Sequence, residues 1–356
     1  MADARAASDL PPFDSSAMDG YAVRAADTPG RLRVAGHSAA GLPAAVALGA
    51  GQAIEISTGA VVPGGADAVV QVERTVRHGD DVEVEGVEPS DNVRPRGGDA
   101  RRDDVVVPAG AAVGPSQLGA LAAAGVGTAV CGRRPHAVVQ PTGSELRPAG
   151  VDLAPGEIYE SNGTLLGAQL ESAGAVAEVR EPAVDDADAL RGALVHGLEA
   201  DVLLTSGGVS VGEHDLVRTL LAELGVEEVF WGVAVRPGKP LFFGVRDTTL
   251  VFGLPGNPVS TLVGFELFVR PALAALQGAA DPGPHYLPGR LARDVRRNPG
   301  RDDLMRATLD DDGALAPLSG QESHMIVRAA AARALVRIPR GDGELPAGAH
   351  VSWLPL

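Results

Sequence analysis

The stretch of residues 201–215, DVLLTSGGVSVGEHD, constrains the fold more than any other part of the sequence. Its apolar run at 202–204 has no helical period, which is typical of a strand buried on both faces of a sheet. Gly207 and Gly208 follow, and paired glycines allow a sharp turn that brings backbone N–H groups close to a ligand. After Asp215 the leucine spacing predicts a helix, so the stretch contains the elements of an anion site. The same glycines also suit a plain strand-to-helix turn, and this stretch alone supports both interpretations equally.

Acidic residues stand beside glycine or another acid in several turns of the sequence. Glu213 and Asp215 close the turn just described, where two carboxylates next to a phosphate group suit a bridging Mg²⁺. Further carboxylates of this kind are Asp19, Asp99, Glu145 and Asp185. Most surface carboxylates are only solvated, so none of these residues indicates a site by itself.

Strand and helix patterns alternate from residue 135 to residue 281, which predicts βαβ units and a parallel sheet. The turn Thr142-Gly143 follows one predicted strand, and the glycine turn at 206–208 follows another. Both turns would therefore lie at the carboxyl edge of one sheet, where open α/β sheets bind their ligands. This arrangement favours one shared site over two unrelated turns.

The remaining sequence indicates β structure on both sides of this α/β domain (135–281). Small polar residues predict a flexible N-terminus over residues 1–10. Short alternating strands predict a β domain over residues 11–96, followed by a linking segment over residues 97–134. Short strands over residues 282–356 predict a C-terminal β-barrel. The expected fold class is α/β plus β in a multidomain chain.

The composition excludes several classes of function. The net charge of −16 argues against a nucleic-acid partner held through phosphate contacts. The single cysteine, Cys131, excludes an internal disulfide and suits a reducing compartment, so we expect a cytoplasmic protein. No apolar run approaches ~20 residues, so no segment is expected to span a membrane. One cysteine and scattered histidines exclude a zinc framework, and the sequence lacks the GxGxxG and GxxxxGK[ST] motifs of nucleotide-binding loops.

Two Pro-Gly turns carry further candidate residues. The turn RPGKP at 236–240 places two cations, Arg236 and the chain's only lysine, Lys239, between apolar strands. Proline and glycine hold such a turn with little entropy left to lose, which suits capture of an anion, although a solvent-exposed turn is the alternative. The segment LPGNPVS at 254–260 leads from a buried strand into a helix, with Asn257 as the predicted N-cap.

Seven motifs, in the same order along the chain, resemble those of the molybdopterin molybdenumtransferase family. The family includes the bacterial MoeA type and is similar to the E domains of gephyrin and of plant Cnx. The motifs are SSAMDGYAV (15–23), ISTGAVVPGGADAVV (56–70), NVRPRGGD (92–99), TGSEL (142–146), SGGVSVGEHD (206–215), VRPGKP (235–240) and LPGNPVS (254–260). The resemblance implies an elongated homodimer with a β domain, a helical linking segment, a MogA-like α/β domain and a C-terminal β-barrel. It also implies the reaction, in which adenylylated molybdopterin and molybdate give molybdenum cofactor and AMP with Mg²⁺.

The resemblance also implies roles for individual residues. A cradle for the phosphates and the pterin would be formed by Thr205, Ser206, Gly207, Gly208, Val209, Ser210, Asp215, Pro255, Gly256, Asn257, Pro258 and Ser260. A molybdate pocket would contain Arg236, Lys239 and Ser260, with Arg306 and Ser323 from the C-terminal domain. The catalytic carboxylates would be Asp19, Asp99, Glu145, Asp185 and Asp215, of which Glu145 and Asp215 would hold Mg²⁺. Asp19, Thr58 and Asp99 would reach the site of the dimer partner.

The sequence departs from the family pattern in three places. Ten residues precede Pro11, where the family has a longer, largely helical segment, so a weakened linking domain is expected. Ser144 stands where the family usually has aspartate, and Arg236 stands where lysine is frequent. These departures leave open a non-catalytic paralogue that binds the pterin or a partner protein. A homologue that uses tungstate is a further alternative, and the molybdopterin adenylyltransferase is an expected partner.

Overall fold

The structure is a computed structural model that describes residues 2–208 and 216–356. The chain divides into two compact units, residues 1–131 and residues 132–356. Each unit has its own sheets and its own buried core.

The first unit is built on a six-stranded sheet. The strands of the whole unit are β1 (Ala4–Arg5), β2 (Ser15–Ser16), β3 (Gly20–Val23), β4 (Gly30–Ser38), β5 (Gln52–Ile56), β6 (Ala68–Gln71), β7 (Thr75–His78), β8 (Asp81–Val84), β9 (Val93–Arg94) and β10 (Val105–Val107), followed by helix α1 (Pro115–Ala123). The main sheet has the order β6-β3-β5-β4-β8-β7, and only the β4–β5 pair is parallel. Alternate residues of these strands, such as Tyr21, Val23 and Val82, are buried in one core. The alternating pattern of the sequence therefore gives β structure here, and the domain boundary at residue 96 stays a prediction.

The predicted flexible N-terminus over residues 1–10 is wrong for residues 4–10. Ala4 and Arg5 pair with the strand at 105–107, and Leu10 forms a bridge with Ala100. Ala6 is buried, and its N–H donates to the carbonyl of Asp104 at 2.9 Å. Alanine side chains are small enough to pack closely, while the strand pairing satisfies the backbone of this segment.

The second unit contains the predicted α/β sheet. The strands of this α/β part are β11 (His136–Pro141), β12 (Leu146–Arg147), β13 (Ile158–Tyr159), β14 (Val176–Val179), β15 (Val202–Ser206), β16 (Glu227–Trp231), β17 (Val235–Arg236), β18 (Phe242–Arg246) and β19 (Thr249–Leu254). Its helices are α2 (Asn162–Ser172), α3 (Ala187–Gly197), α4 (Leu216–Glu223), α5 (Pro258–Gly264), a π-helical turn (Phe265–Val269) and α6 (Arg270–Leu276).

The main sheet of this unit has the order β14-β11-β15-β19-β18-β16. Its first four strands are parallel, while β18 pairs antiparallel with both β19 and β16, so the sheet is mixed. Neighbouring residues of β15 face opposite cores: Leu203 packs with helices α3 and α4, and Leu204 packs with α2 and the α5–α6 segment. This two-sided burial is what the continuous apolar run at 202–204 predicts.

One helical segment has the length and composition of a membrane span. Residues Pro258–Leu276 form 19 continuous helical residues of apolar character. Half of the most apolar 18-residue stretch of this segment is buried inside the protein. Phe265, Val269 and Leu273 of this segment are fully buried in the core against the sheet. The segment thus packs as a core helix packs.

The C-terminal part of the second unit is a sheet that takes one strand from the α/β part. The strands of this C-terminal part are β20 (Leu287–Arg290), β21 (Val295–Arg296), β22 (Asp302–Leu309), β23 (Leu315–Pro317), β24 (Ala334–Ile338), β25 (Glu344–Leu345) and β26 (His350–Pro355), with helix α7 (Ile326–Ala329). The order is β17-β22-β24-β26-β20, with β23 beside β22. One parallel bridge joins Leu291, after β20, to Leu315 of β23. The closed barrel stays a prediction. The parallel pairing of β17 with β22 sets Arg236 opposite Asp303.

Candidate functional site

Three parallel strands of the second unit end at the same level of the sheet. Pro141 of β11 is in register with Ser206 of β15, and Ser206 is in register with Leu254 of β19. The loops that follow these strands line a cavity of about 540 Å³, which we call the glycine-turn cavity. Its lining includes Thr142, Gly143, Glu145, Asp185, Ser206, Gly207, Gly208, Pro255, Gly256 and Asn257. The structure therefore brings the two predicted glycine turns together at the carboxyl edge of one sheet.

The glycine turn at 207–208 has a backbone conformation that other residues adopt only with strain. Gly207 has φ of 95°, and a Cβ atom there would lie 2.6 Å from the carbonyl oxygen of Thr142. Gly208 has φ of 69°, and its Cβ would lie 2.4 Å from a methyl group of Val217. Positive φ and close backbone approach both require glycine at this turn. The N–H of Gly207 donates to the carbonyl of Leu254 at 3.1 Å, so Gly207 is tied to the end of β19.

Asn162 links two of the loops at this edge. Its side-chain amide donates to the hydroxyl of Ser206 at 2.7 Å and to the carbonyl of Gly256 at 2.8 Å. Asn162 lines the glycine-turn cavity and is 9% exposed, and its Oδ1 has no hydrogen-bond partner among the described residues. Asn162 was not identified from the sequence as a site residue. The sequence feature that could have identified Asn162 is its place at the start of α2, directly after the loop that leaves the carboxyl edge of β11.

Several carboxylates lie at this edge of the sheet, and Ser144 holds one of them in place. Glu145, Glu160 and Asp185 all line the cavity. The carboxylate of Asp185 accepts hydrogen bonds from both the N–H and the hydroxyl of Ser144, each at 3.1 Å. The hydroxyl of Ser144 also accepts from the N–H of Asp185 at 3.0 Å. Ser144, which departs from the family pattern, thus orients the carboxylate of Asp185.

No group of three metal-ligating side chains is found in the described parts of the chain, residues 2–208 and 216–356. Mg²⁺ usually needs only one or two carboxylates when substrate phosphates supply the other ligands. Glu145 at the cavity fits this donor set. Its predicted partner Asp215 lies outside the described residues, as do Val209, Ser210 and Glu213.

Besides Ser260, which lines the neighbouring cavity described below, two described residues of the expected cradle do not line the glycine-turn cavity. Thr205 is fully buried inside the sheet, and its hydroxyl has no partner among the described residues. Pro258 is the first residue of α5, where its fixed φ suits the first helical turn. Neither residue is part of the lining of this cavity.

A second cavity of about 620 Å³ lies beside the first, and we call it the cation cavity. Its lining includes Arg236, Lys239, Ser260, Arg301, Asp303, Ser323 and His324. Pro240, Pro255 and Asn257 line both cavities, so the two share a wall. The structure thus places Lys239, Ser260 and Ser323 around one space, next to the glycine turn. Arg301 and His324 were not identified from the sequence, because nothing near them in the chain indicates an anion site.

A buried carboxylate also lines the cation cavity. Asp303 is 2% exposed and forms an ion pair with Arg236 through one carboxylate oxygen, while the other oxygen has no partner within the described residues. The charge of Arg236 is therefore largely compensated. The exposed ammonium of Lys239 has no ion-pair partner in residues 2–208 and 216–356, so Lys239 is the less compensated cation.

Arg306 does not line the cation cavity, and the expectation that it binds the oxyanion directly is wrong for this structure. Its side chain is 1% exposed and donates to the carbonyls of Gly320, Glu322 and Met325 at 2.9, 3.3 and 3.1 Å. Burial lowers the pKa of its guanidinium. A guanidinium matches several carbonyl acceptors at once, so Arg306 holds the loop that carries Ser323.

In the first unit, two of the three predicted residues are in contact. The N–H of Thr58 donates to the carboxylate of Asp19 at 2.8 Å. Asp99 lies in another turn, where its N–H donates to the carbonyl of Leu10 at 2.9 Å. The pair at 19 and 58 forms a small polar corner at the end of β3.

Comparison with known families agrees with this architecture along the whole chain. Residues 1–125 match the MoeA N-terminal region (domain I and II), residues 139–275 match a probable molybdopterin binding domain, and residues 288–356 match the MoeA C-terminal region (domain IV). The chain belongs to the MoeA family. The α/β part that carries the glycine turns of this MoeA chain is therefore its molybdopterin-binding-type domain.

Curated relatives of this MoeA chain align over nearly its full length. The Molybdopterin molybdenumtransferase 2 of Mycobacterium tuberculosis is 38% identical over 96% of this chain and 88% of its own length. The Molybdopterin molybdenumtransferase of Haemophilus influenzae is 34% identical over 97% of this chain and 88% of its own. Among solved structures, a molybdopterin biosynthesis MoeA protein from Pyrococcus horikoshii has a TM-score of 0.84 at 27% identity, covering 100% of this chain and 90% of that one. A second structure from that organism has a TM-score of 0.78 at 32% identity, covering 99% and 90%.

Proposed function

We propose that the protein inserts molybdate into adenylylated molybdopterin and releases AMP. The observation that carries the proposal is the wall shared by the glycine-turn cavity and the cation cavity at Pro240, Pro255 and Asn257. One ligand in each cavity would place a phosphorylated pterin beside an oxyanion. The names of the curated relatives support this reaction class.

The glycine-turn cavity would bind the adenylyl and pterin phosphates. The N–H of Gly207 is already donated to the carbonyl of Leu254, so the donors at this edge would be the N–H of Gly208 and the hydroxyl of Ser206. Fixed N–H and O–H donors stabilise phosphate oxygens without reorganising when the ligand arrives. These donors suit a chain with net charge −16, because a phosphate needs a local source of positive character.

The cation cavity would bind molybdate. Lys239 and Arg301 line it together with the hydroxyls of Ser260 and Ser323, so charge and hydrogen-bond donors surround one space. Charge-assisted hydrogen bonds from such groups are the stronger kind. The role of Arg236 would be smaller than that of Lys239, because Asp303 already pairs with it.

Glu145, with Asp215, would hold Mg²⁺ at the edge of the glycine-turn cavity. When bound, the ion would neutralise charge on the phosphoanhydride. Asp185 would orient water or a phosphate group, since the two hydrogen bonds from Ser144 fix its carboxylate.

The protein would act as a cytoplasmic homodimer. In this arrangement Asp19, Thr58 and Asp99 would complete the site of the partner subunit. Subunit mixing would test the arrangement: an Asp99→Ala variant and a Lys239→Ala variant, each inactive alone, should regain activity when mixed if one subunit's residues serve the other's site. The adenylyltransferase that supplies the substrate is a proposed partner.

Tungstate is an alternative substrate of the same cavity, because the two oxyanions share charge and shape. A non-catalytic paralogue that binds molybdopterin is the second candidate function, and Ser144 in place of the family's usual aspartate favours it. That candidate implies pterin binding without AMP release, and it implies that Ser144→Asp changes little.

The deciding experiment measures AMP release from adenylylated molybdopterin by the purified full chain with Mg²⁺, with and without molybdate. We expect molybdate-dependent release, and a loss of roughly 10²–10³ in rate for Lys239→Ala, as for other donors to a developing charge. Arg246→Ala is the matched control, because Arg246 ends β18 at the opposite edge of the sheet. No molybdate-dependent AMP release by the unaltered protein would refute the proposal.

A further inference from the structure

Asn162 uses both hydrogens of its side-chain amide within the protein. One is donated to the carbonyl of Gly256, which can only accept, and this fixes which end of the amide is nitrogen. The other is donated to the hydroxyl oxygen of Ser206. The Oδ1 atom remains without a partner among the described residues, in a side chain that is nine-tenths buried and lines the glycine-turn cavity. A buried acceptor without a partner costs free energy, unless a ligand supplies the donor.

The bond from Asn162 also determines what the hydroxyl of Ser206 can do. Because its oxygen accepts from Asn162, its own hydrogen is free to be donated, and no acceptor for it is found among the described residues. Ser206 is 2% exposed and lines the cavity, so the cavity is where that hydrogen can go. Hydroxyl donors of this kind suit a phosphate oxygen.

We propose that Asn162 is a positioning residue of this site. It holds the Ser206 hydroxyl as a hydrogen-bond donor toward a phosphate oxygen, and it offers its own Oδ1 to a hydroxyl or amine of the same ligand. The ligand class is a phosphate ester that carries such donors, as an adenylylated pterin or AMP does. This inference rests on the proposed function, whose phosphate cavity it deepens.

The proposal predicts an unusual order of variants. In Asn162→Asp the carboxylate cannot donate, so the Ser206 hydroxyl would turn to it and be lost to the ligand. In Asn162→Ala the hydroxyl loses its support but stays free to donate. We therefore expect ligand affinity to fall from wild type to Asn162→Ala, by roughly five- to tenfold, and to fall further in Asn162→Asp. Aspartate also adds a negative charge beside the phosphate, so the double variant with Ser206→Ala, and not this order alone, separates a positioning role from space filling.

The experiment measures AMP binding to the full chain by isothermal titration calorimetry, together with KM and kcat for adenylylated molybdopterin. Ser206→Ala alone should weaken binding by a similar factor. Adding Asn162→Ala to it should cost less affinity than Asn162→Ala costs in the wild type, because only the Oδ1 contact is then left to lose. Gln277→Glu is the matched control: the Gln277 amide also donates to two carbonyls, those of Ala173 and Leu273, but it lies near the amino ends of the strands. Its AMP affinity should equal that of wild type.

The possible results separate this inference from the proposed function. Turnover and AMP binding by wild type, with Asn162→Asp as good as or better than Asn162→Ala, would overturn the positioning role and leave the function standing. Neither AMP binding nor turnover by wild type would overturn both. If Asn162→Ala does not fold, Asn162→Asp measured with and without Ser206→Ala decides the question, since the proposal requires a smaller loss of affinity where the Ser206 hydroxyl is absent.

Discussion

Asn257 donates a hydrogen bond from its side-chain amide to the hydroxyl of Ser323, with 2.9 Å between Nδ2 and Oγ. The carbonyl of Ser323 accepts from the N–H of Val259 at 3.0 Å, so α5 and the C-terminal loop are joined twice. The sequence predicted Asn257 as the N-cap of α5. It occupies that position, but its side chain makes no capping bond and reaches the cation cavity loop instead.

Ser323→Ala should therefore weaken molybdate binding more than it weakens the fold. Loss of one hydrogen bond of this kind costs about 1 kcal/mol, or roughly a fivefold rise in the KM for molybdate. Ser319→Ala is the control, since Ser319 lies on the same loop and its hydroxyl accepts from Arg328. Equal KM values for the two variants would show that the bond to Asn257 does not shape the cavity.

Asp303→Asn should raise the affinity of the cation cavity for molybdate. The carboxylate of Asp303 is buried at the cavity wall, compensates Arg236 and repels a dianion. Removing one negative charge from the wall of the cavity should strengthen oxyanion binding by about 1 kcal/mol or more. Direct titration with molybdate at low and high salt would measure the gain.

Asp302→Asn is the matched control for that experiment. Asp302 carries the same charge one residue away, but it pairs with Arg337 and is absent from the cavity lining. A similar gain in both variants would mean that only net charge matters, and the specific role of Asp303 would then be rejected.

The carboxyl edge of the sheet could be predicted from sequence because its signals are local. An apolar run followed by two glycines, as at 202–208, already contains the strand, the turn and its direction. The same holds for the strand and turn at 136–143. Parallel strands then place their following loops together by topology alone.

The wall of the cation cavity could not be predicted in this way. Arg236 and Asp303 are 67 residues apart and meet only because β17 joins the C-terminal sheet. Arg306 has the same appearance as any arginine in an alternating strand, and only the fold shows that the loop at 318–325 closes over it. Long-range pairing has no local pattern, so both features required the structure.

Gly207→Ala should destabilise the protein by about 1–3 kcal/mol. The residue has positive φ, and an added Cβ would meet the backbone carbonyl of Thr142, which cannot move aside easily. Gly256→Ala is the control for stability, because its Cβ would lie 3.7 Å from Gly207 Cα, an ordinary contact. Urea unfolding of both variants would measure the difference, and similar unfolding free energies would refute the claim that this turn requires glycine.

An ion pair at the amino end of β15 should make stability depend on pH in acid. Arg133 donates two hydrogen bonds to the carboxylate of Asp201, which lowers the pKa of that carboxyl; burial opposes this shift, and the N–H of His136 adds to it. Since the folded pKa lies below the ordinary value of 3.8, the ion pair contributes fully above that pH. Its contribution is lost as the pH falls from 3.8 through the folded pKa.

Asp201→Asn should therefore unfold at a lower temperature than wild type at pH 7, and the two midpoints should converge as the pH falls below 3.8. Thermal unfolding followed by circular dichroism between pH 3 and pH 7 would measure this. Asp247→Asn is the control, because Asp247 is an exposed carboxylate in the turn after β18, and its variant should follow the wild-type curve throughout. A midpoint difference for Asp201→Asn that stays constant down to the lowest pH would show that lost packing, not the ion pair, accounts for the destabilisation.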